Sequence, residues 1–406
     1  MPIPVVELFA GVGGFHVGLS RASEDFKVVW ANQWEPSKKS QHAFECYASH
    51  FPETESINID IAEVNNNPEK HPIPQHTLLV GGFPCQDYSV ASTGAKGIEG
   101  KKGVLWWEIQ KIVDRHRPPF ILLENVDRLL KSPTNQRGRD FAVMLGCLRD
   151  LGYMVEWRVI NAAEYGAGQR RRRIFIFAAH ESTQYYKQVI SVKMLTGDQE
   201  YLKERGFFAI EFPIKETSEF SSCVLDGDLL SISDEFSFSF GECGALFGTQ
   251  IISQRYKPEE KAPVLLANIL ETNVDESFYL GENLADWDYM KGAKRINRTS
   301  KTGHSYIFSE GAIAFPDPID RPARTMLTSE SSKNRSTHVV KDPETGRLRV
   351  LTPVECERIN GFPDNWTNSG MPQKFRYFCM GNALVVDLIE KMGRELKQII
   401  EMEKKS

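Results

Sequence analysis

The chain has 406 residues, 41% of them hydrophobic and 25% charged, with a formal net charge of −5. This length allows two domains with cores of their own, and this balance is that of a globular protein rather than a disordered or fibrous one. An acidic body excludes nonspecific coating of nucleic acid, but a basic cleft on it stays open because local fields govern binding.

The elements alternate over the first 180 residues or so. Apolar, strand-like runs fall at residues 5–9, 28–31, 77–80, 120–123, 154–160 and 174–178. Amphipathic stretches lie between several of them, at residues 105–115 and 141–151. The rhythm predicts a parallel sheet with helices on both faces. Ligands of such sheets bind beyond the carboxyl ends of the strands. The turns after residues 9, 83 and 123 should therefore converge on one rim.

The first strand runs into Phe9-Ala10-Gly11-Val12-Gly13-Gly14-Phe15. Glycines there let backbone approach a ligand. The spacing is Gly-x-Gly-Gly and not Gly-x-Gly-x-x-Gly, so a nicotinamide cofactor is disfavoured. After the next strand come Gln33, Trp34 and Glu35, where a polar side chain can meet a ribose and Trp34 can stack on a flat ring. The run at 77–80 leads into Gly81-Gly82-Phe83-Pro84-Cys85-Gln86-Asp87-Tyr88. A strand ending in two glycines and Phe-Pro-Cys presents its thiol on a turn, where thiolate chemistry is possible. The seven cysteines are scattered and never spaced Cys-x-x-Cys. A disulfide framework or structural zinc site is not expected, and a reducing cytoplasm is. Residues 92–103 hold four glycines with Lys96, Lys101 and Lys102. They read as a closing lid or as an ordinary surface loop. Glu124-Asn125-Val126 follows a strand directly, and Gln169-Arg170-Arg171-Arg172-Arg173 precedes one. Four arginines in a row also suit a solvated or phosphate-binding face.

The rhythm stops near Glu181. Residues 181–318 read as a separate, irregular, β-rich domain with Phe-rich patches such as Phe236-Ser237-Phe238-Ser239-Phe240. Within it Lys291, Lys294, Arg295, Arg298 and Lys301 fall in eleven residues without an acid. Such a strip is either a solvated face or a DNA-facing one. Toward the end, Val385, Leu388, Ile389, Met392, Leu396 and Ile399 share one helical face. No stretch has the apolar length of a membrane helix, and no secretory signal opens the chain.

In this order the glycine turn, Pro84-Cys85, Glu124-Asn125-Val126 and Gln169 to Arg173 resemble the motifs of the bacterial cytosine-5 DNA methyltransferases. Arg324-Thr325-Met326-Leu327-Thr328, Leu351-Thr352-Pro353 and Gly381-Asn382-Ala383-Leu384 extend the resemblance, which skips residues 181–318. It implies an α/β fold, a doubly wound, mixed and mostly parallel sheet of the S-adenosylmethionine-dependent type. A smaller β-rich target-recognition domain would be added to it. The implied division is 1–181 with 381–406 for catalysis, 182–351 for target recognition and 352–380 as connection. It implies methyl transfer from S-adenosyl-L-methionine, leaving S-adenosyl-L-homocysteine, to C5 of a flipped cytosine. Cytosine C5 is too electron-poor to attack a methyl sulfonium, and a soft nucleophile added at C6 makes it an enamine carbon.

By the same resemblance Cys85 is that nucleophile, Glu124 the acid at N3, Arg173 the holder of O2 and Arg171 an orienting helper. Asn125 fixes the local backbone. The cofactor would lie among Phe9, Gly11, Gly14, Trp34, Asp60, Ile61, Pro84, Leu105, Asn382 and Ala383. Its ribose contact stands between Gln33 and Glu35, because the family usually has an acid where this chain has Gln33. The family often has serine at Ala383, so a backbone contact survives there and a hydroxyl contact does not. DNA would meet Gln86, Ser89, Lys96, Lys101, Lys294, Arg295 and Arg298. The implied partner is double-stranded DNA, for a monomer without a membrane and with a possible cognate restriction endonuclease. Two rival readings are a tRNA cytosine methyltransferase of the same fold and a noncatalytic DNA-binding relative.

Overall fold

A computed structural model of the chain describes residues 2–36, 38–83, 105–196, 198–281, 284–300 and 303–404. The sheet begins with β1 (Ile3–Leu8), β2 (Phe26–Asn32), β3 (Glu55–Ile57), β4 (Leu78–Gly82) and β5 (Phe120–Val126). Helices α1 (Gly14–Ala22), α2 (His42–His50), α3 (Ile61–Asn66) and α4 (Leu105–His116) run between them. Then α5 (Arg139–Asp150) leads to β6 (Tyr153–Asn161), and β7 (Arg172–His180) lies between β5 and β6, antiparallel to both.

Side chains alternate across the strands, so each strand feeds both faces. Val5, Leu78, Val80, Phe120 and Leu122 pack on one side with Leu19 and Tyr47. Val6, Leu8, Leu79, Ile121 and Leu123 pack on the other with Trp106, Ile109 and Phe141. Near-continuous apolar strands in the sequence are the mark of a sheet covered on both faces.

The sheet does not stop at Glu181, where the sequence rhythm does. After α6 (Gln184–Thr196) and α7 (Asp198–Glu204) come β8 (Ile214–Val224), α8 (Leu229–Glu235), β9 (Cys243–Phe247) and β10 (Gln250–Pro258). Their strands extend the sheet to the order β3-β2-β1-β4-β5-β7-β6-β9-β10-β8. Seven of the ten strands point one way, and β7, β9 and β8 oppose them. Residues 182–258 thus continue the sheet layer, which the expected boundary at 182 divides. Antiparallel neighbours need no crossover helix, so the alternating signature is absent there. The Phe-rich patch is core: Phe240 meets Phe141 and Trp157 edge to face, with ring centres 5.1 and 5.5 Å apart. Buried Arg158 of β6 donates to the carbonyls of Leu202, Phe208 and Phe212, tying the loops after α7 beneath the sheet.

Beyond residue 258 the chain leaves the sheet. It forms α9 (Ala285–Lys291), a ribbon of β11 (Lys294–Thr299) and β12 (Ser305–Glu310), and a short pair, β13 (Val339–Lys341) and β14 (Leu348–Val350). Helix α10 (Pro353–Ile359) starts in a capping box of Thr352 and Glu355. Helices α11 (Gln373–Asn382) and α12 (Val386–Glu403) return to the amino-terminal half. The expected stripe on α12, including Ile389, Met392, Leu396 and Ile399, is buried against the first core face. Among the described residues no helix is long and apolar enough to cross a membrane.

Helices α1 and α12 touch at Gly18. A Cβ there would lie 2.5 Å from Cβ of Ile389 and 3.0 Å from the carbonyl oxygen of Val386. Gly18→Ala gains about 1 kcal/mol of helix propensity. Overpacking against a side-chain root and backbone costs about 1–3 kcal/mol, and this term should win. The denaturant midpoint is expected to fall. A midpoint equal to or above that of the unaltered protein would show that the helices part without cost.

Candidate active site

The carboxyl ends of β4 and β5 lie side by side, with Gly82 opposite Glu124. A Cβ on Gly82 would be 3.2 Å from Oε2 of Glu124, so the carboxylate lies close beside the end of β4. Asn125, buried, donates from Nδ2 to the carbonyl of Phe83 at 2.9 Å and accepts at Oδ1 from the Val126 N–H at 2.8 Å. It holds the last described residue before Pro84 and Cys85. Those two, with Gln86, Ser89, Lys96 and Lys101, lie outside the described residues.

The ladder of β5 with β7 brings the arginine run to this point. The side chains of the run alternate between outward and inward as it enters β7. Arg170 and Arg172 are exposed, and Arg172 meets Asp127 and Glu242 at 3.4 and 2.8 Å. Arg173 turns inward, and its Nε lies 2.9 Å from Oε1 of Glu124. Arg171 is buried, with 2% exposure. It donates to the carbonyls of Met326, Gly381 and Asn382 at 3.2, 3.1 and 3.3 Å. Burial raises the Glu124 carboxyl above the ordinary carboxylate range, while the charges of Arg173 and Arg171 pull it back. Burial, then repulsion from Arg173, lowers the affinity of Arg171 for its proton, and Glu124 opposes them. The Glu124 carboxyl is thus held between the opposing influences of burial and of two guanidinium charges.

The turn after β1 and the ends of β2 and β3 are laced together. Ala10 N–H donates to Asn32 O at 3.0 Å, and Asn32 Nδ2 to Ile59 O at 2.8 Å. Phe9 and Gly11 take left-handed φ values of 55° and 57°, so the chain turns sharply here. The Gln33 side chain accepts the Gly11 N–H at 2.8 Å. Its carbonyl oxygen holds the turn. Glu35, half-buried, has a carboxylate without a hydrogen-bond partner among the described residues, and burial raises it. Trp34 is partly exposed beside it. Asp60 caps α3 by accepting the Ala62 N–H at 2.9 Å, and Ile61 is buried behind it. Phe9 and Leu105 pack on the second core face. Gly14 touches the far end of the chain, since a Cβ there would lie 2.9 Å from the Leu384 side chain. Asn382 is exposed and Ala383 partly buried at the close of α11.

Three residues lacked a role in the sequence reading. Glu7, sealed within β1, accepts the Tyr47 hydroxyl at 3.2 Å, which lies 3.0 Å from Nδ1 of His16. Burial raises its carboxyl to about 8. An acid inside the apolar run Val5-Val6-Glu7-Leu8 was the available signal. Gln169 donates to Asn360 and accepts from the Met326 N–H, both at 3.0 Å. Trp366 donates to the carbonyl of Val12 at 2.8 Å, steadying the glycine turn from a distant segment.

The basic strip is smaller than its sequence. Lys291 turns inward to the Thr337 carbonyl, and burial lowers its ammonium to about 8. Lys301 lies outside the described residues. Lys294, Arg295 and Arg298 stand on β11, with Arg295 and Arg298 exposed. Among the described residues no cluster of three or more His, Cys, Asp or Glu side chains is placed to hold a metal ion.

Residues 3–398 match the family of C-5 cytosine-specific DNA methylases. The Type II methyltransferase M.Sau3AI of Staphylococcus aureus is 50% identical over 404 residues, covering 98% of this chain and 96% of that protein. M.BanI of Aneurinibacillus aneurinilyticus is 26% identical, covering 98% of this chain and 96% of its own. Among solved structures, a DNMT2 mutant of Spodoptera frugiperda superposes with a TM-score of 0.59 at 16% identity, over 98% of this chain and 99% of that one. That likeness concerns the fold, a mixed sheet with helices on both faces. With the match spanning nearly all of its length, the chain belongs to the C-5 cytosine-specific DNA methylases.

Proposed function

We propose that the protein transfers a methyl group from S-adenosyl-L-methionine to C5 of cytosine within a specific sequence of double-stranded DNA, with Cys85 as covalent nucleophile. The pair of Glu124 and Arg173, 2.9 Å apart beside the strand that leads to Cys85, carries this reading. The covalent chain keeps the Cα of Cys85 within about 7.6 Å of that of Phe83, which Asn125 holds. The other cysteines supply a second support. Burial raises the thiols of Cys46 and Cys223 to about 11 and those of Cys147 and Cys243 to about 12. Cys356 and Cys379 are pushed up further, so all six are un-ionised at neutral pH.

In the mechanism, the Cys85 thiolate bonds to C6 as Glu124 gives a proton to N3. Arg173 donates to O2 of the base and keeps Glu124 in place. S-adenosyl-L-methionine, when bound, supplies the electrophilic methyl group. Loss of the C5 proton to water, departure of the Cys85 thiolate from C6 and return of the N3 proton to Glu124 then restore the aromatic ring. The rim fits this cofactor. Phe9, Gly11 and Gly14 give backbone that can approach it closely, and Trp34 can stack on its adenine. Glu35 has an unpartnered carboxylate for the ribose hydroxyls, which favours it over Gln33. Asp60, whose Oδ1 caps α3, would accept the adenine amine at Oδ2, and Ile61, Leu105, Asn382 and Ala383, with Pro84 from outside the described residues, are proposed to line the site.

Residues beyond the sheet, from about 259 to 351, are the proposed recognition unit. The Type II relatives support a restriction-modification role, and the proposal includes protection of host DNA against a cognate endonuclease by a cytoplasmic monomer. Transfer to tRNA in preference to duplex DNA would overturn the choice of substrate.

Cys85→Ala should abolish transfer and leave cofactor affinity nearly unchanged. DNA with 5-fluorocytosine at the target should trap the unaltered enzyme as a covalent adduct, because fluorine blocks the final elimination. An adduct with the variant would assign the nucleophile elsewhere.

Glu124→Gln keeps shape and loses the proton, so the rate should drop on the order of 10²–10⁴-fold. The raised carboxyl is protonated below its folded pKa, so the rate of the unaltered enzyme should fall as pH rises through that value. The variant should lack this limb. A loss under about tenfold, with the limb retained, would place the acid on another group.

A further inference from the structure

The ribbon of β11 and β12 stands apart from the large sheet. Alone, two strands are marginal in water. This ribbon is fastened at its base. Arg335 donates to the carbonyls of Met290 and Gly292 at 2.8 and 3.0 Å, just before β11, and to that of Gly311, just after β12. Lys291 is sealed beside it on the Thr337 carbonyl.

Strand alternation divides the ribbon into two faces. One carries Lys294, Ile296 and Arg298 opposite Glu310, Phe308 and Tyr306. Its cations lie on rings: the Lys294 ammonium is 4.6 Å from the centre of Tyr289, and the Arg298 guanidinium 3.8 Å from that of Phe308. The other face carries Arg295, Asn297 and Thr299 opposite Ser309, Ile307 and Ser305. All six are exposed, Ile307 by 53%. The Arg295 and Asn297 side chains have no partner among the described residues.

We infer that this open face reads base edges in the major groove, with Arg295 on a guanine, Asn297 on an adenine and Ile307 against a thymine methyl. The inference rests on the proposal that the substrate is duplex DNA. Six residues per strand make a ribbon about 20 Å long. The major groove is about 12 Å wide and admits a two-stranded ribbon. A guanidinium fork fits O6 and N7 of guanine, a carboxamide fits N6 and N7 of adenine, and an aliphatic group suits the methyl of thymine. Ile307, at the centre of this face, presents the apolar group that such a methyl would meet. The ring-held Lys294 and Arg298, on the reverse face, reach phosphates of the groove walls and set affinity.

The test uses the full chain on duplex libraries randomised around the methylated cytosine, read by bisulfite sequencing, with affinity measured over a range of salt. Arg295→Lys keeps the charge and loses the fork. It should cut discrimination at one base pair roughly 5- to 150-fold and leave the salt slope unchanged. Asn297→Ala should relax a second, A·T position. Lys294→Ala with Arg298→Ala should weaken binding to all sequences alike, flattening the slope of log affinity against log salt by about 0.9 per phosphate lost. An unaltered preference in both the Arg295 and the Asn297 variants would overturn the assignment. Failure of the unaltered protein to methylate any duplex would instead remove the DNA reading, and this inference with it.

Discussion

The Arg171 guanidinium lies out of water and donates to carbonyls 155 and 210 residues away in the chain, on Met326 and Gly381. It is the rivet between the sheet, the proposed recognition unit at Met326 and the end of α11 before α12. Charge-bearing donors gain most when their acceptors are backbone groups that would otherwise be buried unpaired. A lysine has the charge but no planar fork, so it cannot serve three divergent carbonyls in the same geometry. Arg171 stands just before β7 and Arg173 within it, so the segment that secures the architecture leads directly into the strand that aims a guanidinium at Glu124. Structure and chemistry are therefore coupled along one short segment of chain.

This arrangement suits the proposed acid to a glutamate on a sheet rim rather than on a loop. A carboxyl out of water holds its proton longer, and an adjacent guanidinium opposes that tendency. Glu124 has both influences, with Arg173 in direct contact and Arg171 behind it. The balance can be set only if all three side chains keep fixed distances. Hydrogen bonding of Asn125 to Phe83 extends that rigidity to the start of the segment that carries Cys85.

The first half of the fold was legible because parallel strands buried on both faces are written as apolar runs with helices between them. The continuation through β8, β9 and β10 was not, because an antiparallel edge lacks crossover helices and β8 exposes much of its length. In the site, the resemblance pointed to Glu124 and, of the four arginines, to Arg173 and Arg171, although four like residues in a row carry no mark of their own to say which turn inward. The ladder of β5 with β7 supplies it for Arg173. The same limit applied to Gln33 and Glu35, chemically similar acceptors two residues apart. Only the contact from Gln33 to Gly11 distinguishes a residue that holds the turn from one left available to a ligand. Lys291 shows the opposite error: a basic run implies a shared face, yet α9 ends at Lys291 and turns that side chain inward.

The division of labour between sheet and ribbon follows from how each is held. The side chains proposed for catalysis, Glu124 and Arg173, stand on central strands whose displacement would disturb two core faces. The ribbon is held at its base by Arg335 and Lys291, through backbone carbonyls, which every residue type provides. Of the ribbon side chains, Glu310, 3.8 Å from Arg335, and Lys294, over the Tyr289 ring, share in the attachment, while Arg295, Asn297 and Ile307 on the open face take no part in it and are free to vary with the proposed DNA site. A fold so built can exchange its recognition face without moving the carboxyl and guanidinium on which the reaction depends.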